Sequence, residues 1–405
     1  MTPDIPPEFR LLVAASRWPH DARSIAAVKA AADEAIDWEH FLRVATRHRV
    51  ASLAYSGLKS AQVTPPPEIA KSLEAFSIRQ AGHSMHLAHE AMRIRRALEE
   101  KSIEPLFVKG ATLGMLAYGS MVLKQGRDID VLVRRSEVFP TLEILRGFGY
   151  EPIHFVPSEP WQIEPWMDMT KDLEVVDRSR GMSVEIHWKL SDNNAFSRTL
   201  EKHYAAREIS LGSGMSLRTL DQRIFVIYLC IHGARHAWFR LKWSADLAAI
   251  LARATPAELQ DYAAFAKECR MEGCFAQAIL LCDSLFELEN VRSMAEHFRK
   301  SRRYRLLERI ALHMMTLGKG ATEVWDVRYG SVPQIFSQFI VGDDASYFWN
   351  EVRSRFVTIT DVEELRLPRH LTFLYPFLHI PLAIGRRLRD RGFMQRSAPV
   401  EAKKT

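Results

Sequence analysis

The sequence is poor in the features that mark several protein classes. It has only four cysteines in 405 residues, and none of them forms a CxxC pair, so neither a zinc site nor a disulfide framework is expected. The most apolar stretch, residues 371–384, is broken by Pro376 and Pro381. It is also shorter than the roughly 20 residues that span a bilayer. We therefore predict a buried helical segment there and no membrane span.

The N-terminus also lacks the pattern of a signal peptide. In MTPDIPPEFRLLVAASRWPHD, acids and prolines stand where a signal peptide has a basic region followed by an unbroken apolar one. Together with the few cysteines, which we expect to be reduced thiols, this pattern predicts a cytoplasmic protein.

What the sequence does contain is the composition of a globular protein, with 47% apolar and 26% charged residues. A chain of this length is expected to form two or three packing units. The net charge of +6 favours an anionic partner such as a nucleotide, a nucleic acid or an acidic lipid. Charge alone does not select among these partners.

The spacing of apolar residues divides the chain into three regions. Residues 1–102 and 218–405 place apolar residues three and four apart, which predicts helices. Residues 103–217 contain short apolar or alternating runs that predict strands, among them PLFV, DIDVLV and SVEIHW. The sequence therefore predicts an α+β fold, with a small mixed-sheet core at 103–217 flanked by helical N-terminal and C-terminal regions.

Two aspartates stand close together in the second of these strands. The period of a strand sends Asp128 and Asp130 of RDIDVLV to the same face. Two carboxylates this close raise each other's proton affinity unless a cation lies between them, and Mg²⁺ prefers oxygen ligands. A DxD pattern alone more often marks a solvated strand end, so a metal site needs a further ligand.

A later strand supplies a third carboxylate, because Glu185 and His187 of VEIHW share one face. Three acids on adjacent strands can hold two ions roughly 4 Å apart and align a hydroxyl with a leaving pyrophosphate. The Lys109–Gly110 turn offers a triphosphate close backbone approach, helix-start amides and a positive charge. The alternatives are a structural lysine at the turn, and a histidine that supports Glu185 by a hydrogen bond.

Five segments in the same order resemble a known family. They are FVKG, YG, RDIDVLV, VEIHWKL and IHGARHAWFRLKWSADL. They are similar to an uncharacterised bacterial nucleotidyltransferase family within the polymerase-beta-like nucleotidyltransferase superfamily. The superfamily usually opens with glycine-serine, where this chain has Lys109–Gly110 and a longer spacing to Asp128.

The resemblance implies an enzyme that moves a nucleoside monophosphate from a nucleoside triphosphate, such as ATP, to an acceptor hydroxyl or phosphate with release of pyrophosphate. Asp128 and Asp130 would ligate two Mg²⁺ ions, and Glu185 would complete the site and assist removal of the acceptor proton. Lys109–Gly110 and Arg127 would contact phosphates, with an ion pair as the alternative for Arg127.

Two other functions fit the same motifs. The chain could be a nucleotide-binding scaffold with little or no turnover, or a toxin-like enzyme that modifies transfer RNA or protein. The acceptor, which could be a small molecule, a peptide or protein, or an RNA, is not indicated by the sequence, because one fold serves many substrates.

Three further features have a structural and a functional interpretation. His232 and His236 are four residues apart, a spacing that suits zinc but also a packed pair. Asp246 could orient one of those histidines or cap a helix. The basic stretch 297–309 carries interleaved aromatic residues, so it could grip a nucleic acid or form a solvated helix face.

Overall fold

The computed structural model describes residues 5–365 and 367–396. The last nine residues of the predicted C-terminal region, 397–405, lie outside this range.

Five helices open the chain. They are α1 (Pro7–Ala15), α2 (Ala22–Ala32), α3 (Trp38–His48), α4 (Ala51–Ser60) and α5 (Pro67–Glu99). The helix starts follow local chemistry: Asp37 accepts a hydrogen bond from the His40 amide at 2.9 Å to cap α3. The 33-residue α5 begins at a proline, which suits the first helical position.

The middle of the chain alternates strands and helices. Its elements are β1 (Leu106–Phe107), α6 (Gly110–Tyr118), β2 (Ile129–Leu132), α7 (Val138–Gly147), β3 (Glu151–Pro152), α8 (Pro160–Met169), β4 (Asp172–Asp177), β5 (Met182–His187), α9 (Asn194–Glu201), β6 (Ala206–Gly212) and β7 (Met215–Leu220). Five strands form one sheet in the order β1-β2-β5-β4-β3, in which β2 and β5 are parallel and the other pairs antiparallel. The predicted mixed sheet and α+β class are confirmed.

A second, two-stranded sheet of β6 and β7 was not among the predicted elements. Its turn contains Ser213 and Gly214, both with positive φ, which is typical of a tight hairpin. The predicted regional border at residue 217 falls inside β7.

Ten helices follow the sheets. They are α10 (Gln222–Arg235), α11 (Leu241–Leu251), α12 (Pro256–Glu268), α13 (Glu272–Phe286), α14 (Arg292–Phe298), α15 (Arg302–Met315), α16 (Ser331–Ile340), α17 (Ala345–Phe356), α18 (Ile359–Glu364) and α19 (Tyr375–Arg396). One apolar core joins α10, α11 and α13 to the N-terminal helices, and a second core lies against the sheet. The four cysteines are buried and unbonded to one another.

The apolar stretch 371–384 is helical, but the prediction that it is buried is wrong. The Phe377 side chain is 75% exposed and that of Ile380 is 57% exposed, whereas Tyr375 is buried. Apolar content predicts burial only where another element covers the helix, and these side chains lie on an uncovered side of α19. Within the described ranges, no helix combines the length and apolarity needed to cross a bilayer.

Candidate active site

The parallel pairing of β2 with β5 brings two of the predicted acids together. Asp130 lies directly opposite Glu185 in the register, and Leu132 lies opposite His187. Because alternate residues of a strand share a face, Asp130, Glu185 and His187 all project to the same side of the sheet. The sequence motifs DID and EIHW thus become one cluster.

Asp130 has one satisfied oxygen and one unsatisfied oxygen. Its Oδ1 accepts hydrogen bonds from the Lys109 ammonium and from His187 Nε2, the latter at 3.1 Å. Its Oδ2 is buried without a hydrogen-bond partner. Burial alone would raise the pKa of Asp130, but Lys109 and His187 hold that pKa well below its ordinary value. The side chain therefore keeps its negative charge in the protein interior.

His187 links the acids of three strands. Its Nε2 lies 3.1 Å from both Asp130 Oδ1 and Glu185 Oε2, and its Nδ1 lies 3.7 Å from Asp172 Oδ2. Burial and the charge of Lys171 oppose protonation, yet these acids raise the pKa of His187 above its ordinary value. In the part of the chain that the structure describes, Asp130, Glu185 and His187 form a group with potential ligand atoms within 4.8 Å of one another.

Asp128 lies just before β2 and outside that group. Burial and the charges of Asp130 and Glu185 raise the pKa of Asp128 to about 6, against the opposing charges of Lys109 and Lys242. The environments thus move the pKa values of the two aspartates in opposite directions, as expected for crowded carboxylates. A cation beside Asp128 would relieve this repulsion.

The Lys109–Gly110 turn directs the lysine back towards the sheet. Gly110 has a φ of 58°, which a residue with a side chain adopts only with strain, and a Cβ there would lie 3.8 Å from the carbonyl oxygen of Asp128. Thr112 Oγ1 donates to the carbonyl oxygens of Phe107 and Lys109, both at 2.8 Å, and so stabilises the turn. Lys109 consequently pairs with Asp130 and is the acid's nearest positive charge.

Asp246 connects α11 to the elements around the site. Its Oδ1 accepts a hydrogen bond from the Tyr118 hydroxyl at 2.8 Å, and its Oδ2 lies 3.0 Å from Lys124 Nζ. Since Tyr118 ends α6 and Lys124 lies in the loop before Asp128, Asp246 fixes α11 against both. This contact supports a positioning role for Asp246.

The two candidate zinc histidines are packed aromatic rings. His232 and His236 lie 4.9 Å apart, and His236 stacks on Trp243 at 4.8 Å with an interplanar angle of 15°. Burial and nearby positive charges hold the pKa of each histidine below its ordinary value, so both are neutral near pH 7. The geometry favours the packed pair.

The basic stretch 297–309 is engaged within the molecule. Arg299 pairs with Asp283, and Arg303 pairs with Asp343. The interleaved aromatic residues Phe298 and Tyr304 are buried, so they do not offer exposed faces for stacking. These contacts favour a structural role.

Sequence reasoning missed Asp172 and its neighbour Lys171. Asp172 lies opposite His187 in the register of β4 with β5 and forms an ion pair with Lys171. The alternation of acids and apolar residues in DLEVV resembles that of DIDVL and was the available signal. It was not sufficient, because strand order decides which alternating acids meet.

Comparison with known proteins locates the chain within a family. Residues 34–287 match a family described as an uncharacterised nucleotidyltransferase, which is more than half of the chain. The chain belongs to this nucleotidyltransferase family. The matched range begins before α3, includes the whole sheet and reaches the end of α13. No curated protein matches the chain.

A cavity of about 960 Å³ lies between α8 and the helices α17 to α19 of this family member. Its lining includes the aromatic residues Trp161, Phe356 and Phe373 and the acid Asp192. The charge of Asp192, with that of Asp172, raises the pKa of Lys171 despite burial. Asp192 of the cavity lining therefore acts on Lys171, the ion-pair partner of Asp172.

Proposed function

We propose that the protein is a Mg²⁺-dependent enzyme that transfers a nucleoside monophosphate from a nucleoside triphosphate to an acceptor, with release of pyrophosphate. The observation that carries this proposal is the pairing of Asp130 with Glu185 across β2 and β5, with one buried Asp130 oxygen left without a partner. Membership of a nucleotidyltransferase family supports the reaction class.

The residues present fit a divalent cation. A buried carboxylate oxygen without a hydrogen bond is costly unless something binds it, and Oδ2 of Asp130 is such an atom. Asp128, Asp130 and Glu185 would supply the oxygen ligands that Mg²⁺ prefers. Bound there, the ions would offset the charge of the phosphate oxygens and of the leaving pyrophosphate.

The chain's own groups have distinct roles in this proposal. His187 holds Asp130 and Glu185 in place by hydrogen bonds to both. Glu185 is the most accessible of the three, with 22% of its side chain exposed against 0% for Asp130 and 2% for His187. Glu185 can therefore receive the proton of an acceptor hydroxyl as it attacks the α-phosphate.

Lys109 and Gly110 remain our candidates for contact with the triphosphate. Lys109 pairs with the Oδ1 of Asp130, so a cation on Oδ2 does not require that pair to break. The ammonium would then be available to the phosphates, together with the backbone amides of the first turn of α6, which begins at Gly110.

We assign the acceptor to the cavity between α8 and helices α17 to α19. Aromatic walls such as Trp161 and Phe373 suit a flat or apolar group, and Asp192 adds an acid to the lining. The cavity volume allows a small molecule or the end of a larger chain.

One observation favours a second candidate, a nucleotide-binding scaffold without turnover. Lys109 and His187 already neutralise Asp130, so the acid is stable without a metal ion. Measurement of pyrophosphate release separates the two functions.

To test the proposal, the purified protein is incubated with each nucleoside triphosphate, Mg²⁺ and fractionated cell extract as the source of acceptors. We expect Mg²⁺-dependent pyrophosphate release that Asp130→Asn abolishes. Glu151→Gln is the matched control, because Glu151 is an exposed acid in the edge strand β3 of the same sheet. Triphosphate binding without release from any fraction would support the scaffold.

A further inference from the structure

We propose that Arg49 and Lys242 form the subsite for the β- and γ-phosphates of the triphosphate, the part that leaves as pyrophosphate. This inference rests on the proposed function and adds the N-terminal helices and α11 to the donor site. Neither residue belongs to a motif that carries the acids.

The two residues are brought together by hydrogen bonds between distant parts of the chain. His48 Nδ1 accepts from the Leu241 amide at 2.9 Å, and Arg240 donates to the carbonyl oxygen of Arg47. These bonds join the end of α3 to the start of α11, so Arg49 and Lys242 each lie next to a bonded residue.

Lys242 is directed towards the loop before β2. It lies four residues before Asp246 and therefore on the same face of α11. Asp246 on that face contacts Lys124 of the loop, and this places Lys242 beside the segment that leads to Asp128.

The charges around these residues point to Asp128 as their shared neighbour. Burial and the charges of Arg240 and Arg127 lower the pKa of Arg49 to about 10, while Asp128 raises it. Burial, Lys124 and Arg49 lower the pKa of Lys242, and Asp246 and Asp128 oppose this. Asp128 thus acts on both Arg49 and Lys242.

Arg49 and Lys242 have no ion pair or hydrogen-bond acceptor for their charged groups among the residues that the structure describes. The adjacent arginines differ: Arg240 pairs with Glu323 at 2.8 Å, and Arg47 donates to the carbonyl oxygens of Met314 and Met315. Both of these arginines have acceptors within the protein, whereas the charged groups of Arg49 and Lys242 are available to an anion.

Both cations also occupy locally unfavourable positions. Arg49 has a φ of 57° after the end of α3, where glycine or asparagine is preferred. Lys242 lies in the first turn of α11, where the helix dipole disfavours positive charge and favours phosphate. Residues in unfavourable positions without local compensation are typical of binding sites. A polyphosphate would supply the missing countercharge.

The position of the pair selects the outer phosphates. Lys109 pairs with Asp130, which lies opposite Glu185 in the sheet, whereas Asp246, on the face of α11 that carries Lys242, contacts Lys124 in the loop before Asp128. With the α-phosphate at the acid cluster, the chain of phosphates extends past Asp128 to Arg49 and Lys242.

Calorimetric titration with Mg²⁺-tripolyphosphate, Mg²⁺-ATP and AMP tests this subsite without an acceptor. We expect the double variant Arg49→Met/Lys242→Met to bind tripolyphosphate and ATP about 100-fold more weakly, roughly tenfold for each lost charged contact. AMP binding should change less than about threefold, since a monophosphate does not reach the pair. Arg43→Met/Lys267→Met is the control, because it removes the same charges from two exposed positions.

The unfolding temperature of each variant shows whether a loss of binding is only a loss of folding. Because Lys242 is surrounded by other cations, Lys242→Met should unfold at the same temperature as the wild type or higher. Lys242→Arg keeps the charge and should retain most of the affinity. Wild-type affinity for tripolyphosphate in the double variant, or loss of affinity only together with folding in both variants, would overturn the subsite.

The result also separates this inference from the proposed function. Charge-dependent polyphosphate binding without nucleotide transfer would leave the subsite standing and refute the enzyme. Nucleotide transfer by the double variant, with unchanged affinity for tripolyphosphate, would refute the subsite and leave the proposed enzyme standing. A wild type that binds neither tripolyphosphate nor ATP would overturn both.

Discussion

Two charged clusters border the five-stranded sheet, and they are built differently. The Glu90 cluster consists of Glu90, Arg93, Tyr150, Asp177 and Arg180. Glu90 Oε1 accepts from the Tyr150 hydroxyl at 2.9 Å, and its Oε2 accepts from Arg93 at 3.0 Å and Arg180 at 3.1 Å. Both oxygens are satisfied, and a second acid, Asp177, balances Arg180.

The Asp130 cluster consists of Asp130, Glu185, His187 and Lys109. It has one buried oxygen with no partner, and two of its members share a single Asp130 oxygen. A satisfied polar cluster fixes a fold, whereas an unsatisfied one persists at a cost that a ligand can offset. The comparison separates a structural cluster from the candidate site without reference to either sequence motif.

Replacement of Asp130 by Asn should produce the largest effect. We expect the rate of nucleotide transfer to fall at least about 1,000-fold, equivalent to about 4 kcal/mol, because the neutral amide is a poor ligand for the cation. Initial rates at saturating Mg²⁺ measure the loss. The matching change Glu90→Gln should leave the rate within about threefold, and similar losses in both variants would erase the distinction between the clusters.

Lys109→Met tests the buried pair inside the Asp130 cluster. Loss of one partner of a buried ion pair costs about 3–5 kcal/mol. Because Lys109 is partly exposed, we expect a smaller loss, about 2–3 kcal/mol in the free energy of unfolding. Chemical denaturation measures it. The double variant Lys109→Met/Asp130→Asn should recover most of the stability, whereas an additive loss would show that the pair is not coupled.

Glu90→Gln should lower stability and spare activity. The change weakens the hydrogen bonds that Glu90 accepts from Arg93, Tyr150 and Arg180, and it leaves Arg180 with less countercharge. We therefore expect a loss of about 2 kcal/mol in the free energy of unfolding. Chemical denaturation at pH 7 measures this loss. An unchanged stability would mean that the satisfied cluster does not hold the fold.

The stabilising effect of Glu90 should depend on pH. Burial would raise the pKa of Glu90, but hydrogen bonds from Arg93, Tyr150 and Arg180 lower it below the ordinary 4.5. The ionised group therefore stabilises the fold above pH 4.5, and this stabilisation is lost as the pH falls through the lowered value. The difference in unfolding temperature between wild type and Glu90→Gln should narrow below pH 4.5; a constant difference would argue against ionisation as its source.

The smallest expected effect concerns the turn that carries Lys109. Gly110→Ala places a side chain at a φ of 58° and should destabilise the fold by about 1 kcal/mol. Gly82→Ala is the matched control, because Gly82 lies in α5 with nothing near its Cβ position, and alanine there should stabilise by up to about 1 kcal/mol. Equal effects of the two changes on unfolding temperature would remove the argument for a required glycine.

The sequence could predict the parts of this structure that depend on local pattern. Strand alternation located Asp130 and Glu185, and the order of the motifs placed them in one small sheet, which the structure has. The apolar period predicted the helical flanks. These signals are local, because a strand or helix face is defined by residues two to four apart.

The remaining features depend on contacts between distant segments. The bond between His48 and Leu241 joins residues 193 positions apart, so no local pattern identifies Arg49 and Lys242 as neighbours. The exposure of Phe377 could not be predicted for the same reason, since burial depends on which element covers a helix. Burial and hydrogen-bond satisfaction, and not the motif alone, distinguish Asp130 from Glu90.

One measurement tests the central claim most directly: the fate of radioactive label from a triphosphate labelled at the α- or the γ-phosphate, with Mg²⁺ and fractionated acceptors. We predict that α-label is transferred to an acceptor, that γ-label is released as pyrophosphate, and that Asp130→Asn abolishes both. Transfer of γ-label to the acceptor, or α-label transfer that persists in Asp130→Asn, would contradict the account.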